Sequence, residues 1–207
     1  MLVAEMPGIL FRGALLLAVL IVPSPAAKGP FSHKYHRTQI SGCEACHKVS
    51  SGNMTPEKDA CVTCHDEVTI NEHKRVVPKF NHEQHLKMGN IASLIAKAID
   101  AGTYLSPAGN IRAQLDTKDP CGGCHRAVEE SETVTAAIHP RMADCLVCHT
   151  RVEPVESCAK CHEPGFPLKP ATHTATYLDD HASGKAKIDK TTCAVCHGRK
   201  FTCRGCH

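Results

Sequence analysis

The sequence predicts a mainly irregular chain with short α-helices and little or no β-structure. Of its 207 residues, 14 are glycine and 13 are proline, and these residues interrupt regular elements throughout the chain. Large aromatic side chains for a core are scarce, because there are five phenylalanines, three tyrosines and no tryptophan. The third observation is a set of 14 cysteines and 15 histidines, most of which belong to one repeated motif. The chemistry of these cysteines and histidines therefore indicates what forms the core of the protein.

Every cysteine belongs to a Cys-x-x-Cys-His pentapeptide, and this pentapeptide occurs seven times. The motifs are numbered first to seventh in chain order. Their cysteines are Cys43 and Cys46, Cys61 and Cys64, Cys121 and Cys124, Cys145 and Cys148, Cys158 and Cys161, Cys193 and Cys196, and Cys203 and Cys206. Their histidines are His47, His65, His125, His149, His162, His197 and His207.

This pentapeptide is the covalent attachment signature of a c-type haem. Its two thiols reach the two vinyl groups on one haem edge and form thioethers, and the adjoining imidazole becomes the first axial ligand of the iron. Seven motifs therefore predict seven covalently attached haems c, with the polypeptide wrapped around them. Folding and haem attachment are expected to be coupled, as in other small domains that have a metal site at their core.

Two other uses of the cysteines explain less of the pattern. Zinc takes four ligands, so sites built from paired Cys-x-x-Cys elements would leave one of the seven motifs unmatched. Disulfides suit an even number of cysteines in an exported chain. Neither use accounts for a histidine directly after every second cysteine.

Eight histidines lie outside the motifs, which is close to the number of second axial ligands that seven irons need. This near-match predicts bis-histidine ligation at every haem, with one imidazole to spare. The expected spare is His73, because it lies in the charged stretch 71–75. The full set is His33, His36, His73, His82, His85, His139, His173 and His181.

Two of the histidine pairs share the pattern Phe-x-His-x-x-His, at 31–36 and at 80–85. Residues three apart on a helical turn lie close together yet diverge enough to serve two irons. Followed by Cys-x-x-Cys-His motifs, this element resembles the class III multihaem cytochromes c, the small tri- and tetrahaem electron carriers of anaerobic bacteria. The resemblance covers only the haem-binding residues. The chain departs from that family in its seven motifs and in a gap of 55 residues between His65 and Cys121.

The resemblance implies that the first histidine of each pair ligates the next haem along the chain. His33 would then ligate the iron of His47, and His82 would ligate the iron of His125. The second histidine of each pair would reach another haem, and the phenylalanine would pack on a porphyrin face.

The remaining histidines are assigned by their position in the chain. His139 lies six residues before Cys145 and is the expected partner of His149. His173 and His181 precede the last two motifs and are expected to serve them.

An apolar run at 13–22 follows Arg12 and precedes a short segment rich in proline and alanine. This layout predicts a secretory signal peptide over 1–26 and export to the periplasm. An uncleaved membrane anchor is the alternative, although ten residues are short for a span. Export agrees with haem attachment, because the thioethers of c-type haems form outside the cytoplasm.

The histidine pairs divide the rest of the chain into three modules. A two-haem module covers 27–79, a three-haem module covers 80–168, and a second two-haem module covers 169–207. The middle module contains a helical insert over 86–120. Within this insert, apolar residues recur at helical spacing up to a stop at Gly102. We expect this apolar stripe to pack on a haem, and a docking surface for a partner protein is the alternative.

These features predict a periplasmic heptahaem cytochrome that carries electrons and is not an enzyme. Iron held by two imidazoles has no free position for a substrate, and imidazole ligation keeps its potential low. The resemblance implies a place in anaerobic respiration. Expected partners are redox proteins, including a membrane-associated quinol oxidase or an outer-membrane porin–cytochrome complex. A formal net charge of +3 gives no reason to expect nucleic acid, since haem propionates would offset it.

Two alternative functions remain open from the sequence. The chain could be a subunit of an outer-membrane or extracellular electron conduit, because the haem chemistry would be the same. It could also be a multihaem reductase for nitrite or a similar compound, which would require one iron with an open face.

Overall fold

The computed structural model describes residues 30–49, 54–70, 77, 79–149, 155–185 and 189–197. The predicted signal peptide, His73 and the seventh motif lie outside these residues. Most of the described chain is turn or irregular structure, its helices are short, and it contains no strand. The coarse fold class is therefore confirmed. None of the described helices is long and apolar enough to cross a membrane.

Several of the connections between the described helices contain glycine or proline. The longest of the described helices, α4, has nine residues. The α-helices are α1 (His33–Arg37), α2 (Lys58–Val62), α3 (His82–Leu86), α4 (Ala92–Asp100), α5 (Ile111–Gln114), α6 (Met142–Cys145), α7 (Tyr177–Ala182) and α8 (Lys190–His197). Two 3-10 helices cover Ala136–Ile138 and Val155–Lys160.

Helices α1 and α3 are built in the same way. Each begins at the first histidine of a Phe-x-His-x-x-His element, and the residue before that histidine caps the helix. The Ser32 hydroxyl accepts a hydrogen bond from the backbone of Tyr35, and the Asn81 amide oxygen accepts one from the backbone of Gln84. Such caps satisfy backbone donors at the helix start, so a single turn can form with its two histidines in defined positions.

The insert carries a small hydrophobic core made of polypeptide. Its centre is Ile95 on α4, which is almost fully buried. Helix α4 ends before Gly102, which has a φ of +64° that favours glycine, as the sequence predicts for the stop. The buried members of the core are Ala92, Ile95, Ala96, Tyr104, Ile111, Leu115 and Ala143.

This core differs from the expectation that the apolar stripe of the insert would lie on a haem. Ile95 packs against polypeptide, while Leu94, which belongs to the same predicted stripe, is exposed. The reason is that the chain turns back after Gly102 and brings Tyr104 and Ile111 onto α4. Because Ala143 of α6 also belongs to the core, the insert packs against the segment that precedes the fourth motif.

Candidate metal centres

The first five motifs adopt the same local structure. In each, the backbone N–H of the histidine donates to the carbonyl of the first cysteine over 2.8 to 3.0 Å, which closes one helical turn. Side chains at positions i, i+3 and i+4 of such a turn share one face. The two sulfurs and the imidazole of a motif therefore project to the same side. The sixth motif lies within α8 and has the same helical spacing.

The described cysteines form no disulfides. All twelve of them, from Cys43 to Cys196, are free thiols. The disulfide interpretation therefore has no support within the described part of the chain, and these sulfurs remain available for thioether bonds.

Five motif histidines each face a histidine from outside the motifs at nearly the same distance. The separation of the two ring centroids lies between 6.1 and 6.3 Å in all five cases. The pairs are His33 with His47, His36 with His65, His82 with His125, His85 with His149, and His173 with His197.

This distance has a direct chemical meaning. A metal–nitrogen bond to histidine is about 2 Å long. The centre of an imidazole ring lies about 1 Å behind its ligating nitrogen, so two imidazoles on opposite sides of one metal have centroids about 6 Å apart. Rings in van der Waals contact approach more closely, as the stacked Phe80 and His85 do at 4.2 Å. The five pairs therefore have the spacing of two ligands with a metal between them.

The pairs repeat a single pattern. The first histidine of α1 or α3 faces the histidine of the next motif with nearly parallel rings, at 13° and 16°. The second histidine faces the motif after that with tilted rings, at 52° and 46°. One helical turn thus serves two motifs, and the chain builds this unit twice, over 31–65 and over 80–149. The ring positions agree with the pairings that the family resemblance implies for the first histidines.

Hydrogen bonds to Nδ1 define the tautomer of four of these imidazoles. The acceptors are backbone carbonyls at Ser32, Met54, Asn81 and Ile138. A carbonyl can only accept, so Nδ1 must carry the proton, and the neutral ring then has its lone pair on Nε2. Histidines that bind metals usually have this arrangement. The four histidines are His36, His47, His85 and His125.

Burial also favours the neutral imidazole at two positions. It lowers the pKa of His125, and it lowers the pKa of His33, which the nearby imidazoles of His47 and His36 lower further. A neutral ring is the form that ligates iron, so these rings are ready to bind metal without first losing a proton.

His139 does not face His149 as its position in the chain predicts. The imidazole opposite His149 is that of His85, whereas His139 lies edge-on to His125 at 6.3 Å and 68°. His125 also donates its Nδ1–H to the carbonyl of Ile138, the residue before His139, over 2.9 Å. His82 lies at the same distance from His125 with nearly parallel rings, so the pair of His82 with His125, and not that of His139 with His125, repeats the arrangement of His33 with His47.

His162 and His181 each lie beside the ring of a phenylalanine or tyrosine in the described chain. The ring against His162 is that of Phe166, stacked at 4.5 Å. The ring near His181 is that of Tyr177 at 6.5 Å. His73 and His207 lie outside the described residues, so the partners of the fifth and seventh motifs stay predictions.

The phenylalanines of the two repeated elements contact histidines. Phe31 stacks on His36 at 4.4 Å, and Phe80 stacks on His85, while each meets the first histidine of its pair edge-on. Together with the carbonyl bonds to Nδ1, this packing restricts the rotation of the second imidazole. The phenylalanine therefore orients the imidazole of the second histidine, a role that the sequence pattern alone does not reveal.

A buried polar cluster joins the third motif to the fourth. Arg126, directly after His125, forms an ion pair with Asp144, directly before Cys145. Asp144 also accepts a hydrogen bond of 2.8 Å from the hydroxyl of Tyr104, and Arg126 donates to the carbonyl of Gly123. Both charged side chains are almost fully buried. The sequence analysis did not predict this cluster. The available signal was a charged residue directly beside each of these two motifs.

Comparisons with family models, with curated proteins and with solved structures find no match for this chain. The functional argument therefore depends on the geometry of its own residues.

Proposed function

We propose that this chain is a periplasmic heptahaem c-type cytochrome that carries electrons through low-potential, bis-histidine haems in anaerobic respiration. The observation that carries the proposal is the set of five imidazole pairs with centroids 6.1 to 6.3 Å apart. Each pair combines one motif histidine with one histidine from elsewhere, which is the combination that a c-type haem iron with two axial imidazoles requires.

The residues present fit this group in three independent respects. The motif turns present two thiols and an imidazole on one face, the described thiols are free of disulfides, and the second imidazole lies at the distance of a trans ligand. When bound, a haem would supply reversible one-electron chemistry at its iron. The protein would supply both axial ligands and a fixed position for each group.

The ligand set supports electron transfer over catalysis at a metal. Two imidazoles complete the coordination of an iron and leave no position for a substrate. Donation of Nδ1–H to a carbonyl increases the basicity of the ligating nitrogen, which favours the oxidised metal and lowers the potential. His36 and His85 on the α1 and α3 side, and His47 and His125 in the motifs, have this bond.

The first experiment is an intact-mass measurement on the exported protein. Each covalently attached haem adds ~616 Da, so the mass counts the attached groups and also locates the leader cleavage site. We expect seven additions and a mature chain that begins near residue 27. A colourless protein without these additions would refute the proposal.

Carbon monoxide binding distinguishes a carrier from a reductase. The reduced wild-type protein is expected to bind none, because every iron would have two imidazoles. The His36→Ala variant should bind one equivalent at the haem of His65 and provides the positive control. Binding of one or more equivalents by the wild-type protein would favour an enzyme with an open iron.

A further inference from the structure

The first and third motifs meet in space although 73 residues separate them, from His47 to Cys121. The sulfurs of Cys43 and Cys121 and a carboxylate oxygen of Asp119 all lie within 4.8 Å of one another. Asp119 also accepts a hydrogen bond of 3.0 Å from the backbone of Cys121. Because each sulfur marks the edge of its attachment site, the two sites have adjoining edges.

The contact continues beyond the sulfurs. The backbone of Lys34 on α1 donates to the carbonyl of Ser131, which follows the third motif, over 3.1 Å. The side chains of Lys34 and Glu132 form an ion pair at 3.1 Å, and those of Arg37 and Glu129 form another at 3.0 Å. The helix that carries His33 and His36 is therefore docked on the segment directly after His125.

The neighbours within each unit follow from the paired histidines. The two histidines of α1 lie three residues apart and face the first and second motifs. The two histidines of α3 face the third and fourth motifs in the same way. Since residues at i and i+3 of a helix are neighbours, the two sites served by one helix are also neighbours.

We infer that the attachment sites are ordered in space as second, first, third and fourth, with the first site lying between the second and the third. This inference rests on the proposed function. It differs from the order of the motifs along the chain, in which the second site would be next to the third. An electron passing from the second site to the third site would thus have to pass the first site.

The direct test is a crystal structure of the mature, haem-loaded protein with iron atoms located by anomalous scattering at the iron absorption edge. The iron of His47 should lie closer to the iron of His125 than the iron of His65 does. The reverse order would overturn the inference. If haems are attached and the order differs, only this inference fails, whereas absence of haem from the protein would refute the proposed function itself.

A solution experiment tests the same contact without crystals. The double variant Lys34→Glu/Arg37→Glu keeps every predicted iron ligand but places negative charge against Glu129 and Glu132. In the oxidised protein, the haem-methyl proton resonances of the first and third sites should shift together, and those of the fourth should shift least. The control is Arg112→Glu, which disturbs the exposed pair of Arg112 with Asp100 in the insert and should leave the first and third sites unchanged. Equal shifts in the two variants would contradict the inference.

Discussion

The buried pair of Arg126 and Asp144 gives the sharpest test of how the third and fourth motifs are held together. Asp144→Asn removes the negative charge with little change in volume. The side chains of Arg126 and Asp144 are 7% and 2% exposed, so the guanidinium would stay buried without its counter-charge. Breaking one side of a buried ion pair costs about 3 to 5 kcal/mol. We expect a loss of this size in the free energy of unfolding.

The measurement is urea unfolding of the haem-loaded protein, followed by its Soret absorption, after the mass has shown the same haem count as in the wild type. The control is Asp100→Asn, which breaks the pair between Arg112 and Asp100. That pair is about half exposed, so the change should be far smaller. If the two variants lose the same free energy of unfolding, the ion pair of Arg126 and Asp144 does not hold the two motifs together, and the reasoning is wrong.

A third variant distinguishes the loss of the ion pair from the effect of leaving one buried charge unpaired. Arg126→Met/Asp144→Leu removes both charges and fills their space with apolar atoms, a replacement that is often neutral for buried pairs. This double variant should recover part of the lost free energy of unfolding. Recovery should stay incomplete because the buried Tyr104 hydroxyl also loses its acceptor on Asp144.

Three further predictions concern single side chains. A Cβ at Gly123 would meet the backbone nitrogen of Ala92 at 3.2 Å, so Gly123→Ala should lower the urea midpoint more than Gly122→Ala, whose closest contact is a threonine hydroxyl. Asn81→Ala removes the cap of α3 and should cost about 1 kcal/mol in the same assay, while an unchanged midpoint would contradict the capping role. His82→Ala should produce a high-spin iron signal in electron paramagnetic resonance, whereas His139→Ala should leave the iron at His125 low-spin. The opposite result would show that His139, and not His82, is the second ligand of that iron.

The repeated pentapeptide and the scarcity of large apolar side chains are sufficient to predict short helices, irregular connections and little β-structure. This works because a motif turn is a local structure, in which all interacting groups lie within five residues. The pairings of His33 and His82 also agree with the family resemblance, since each lies on the helix just before its motif.

The position of His139 could not be predicted in this way. Proximity in the chain favours His149, but the orientation of α3 places His85 there instead. The orientation depends on stacking with Phe80 and on the carbonyl of Asn81, neither of which appears in a count of ligands. The same limit applies to α4, where helical spacing identifies an apolar stripe but not the surface that covers it.

By itself, the sequence determined the chemistry available to this protein: seven local motifs, each with two thiols and an imidazole, and enough further histidines to provide second ligands. Only the tertiary structure decided which imidazole faces which motif and that Cys43 meets Cys121. The physical reason is that turn geometry depends on neighbouring residues in the chain. Contacts between distant segments depend instead on how capped helices, ion pairs and a small core pack together.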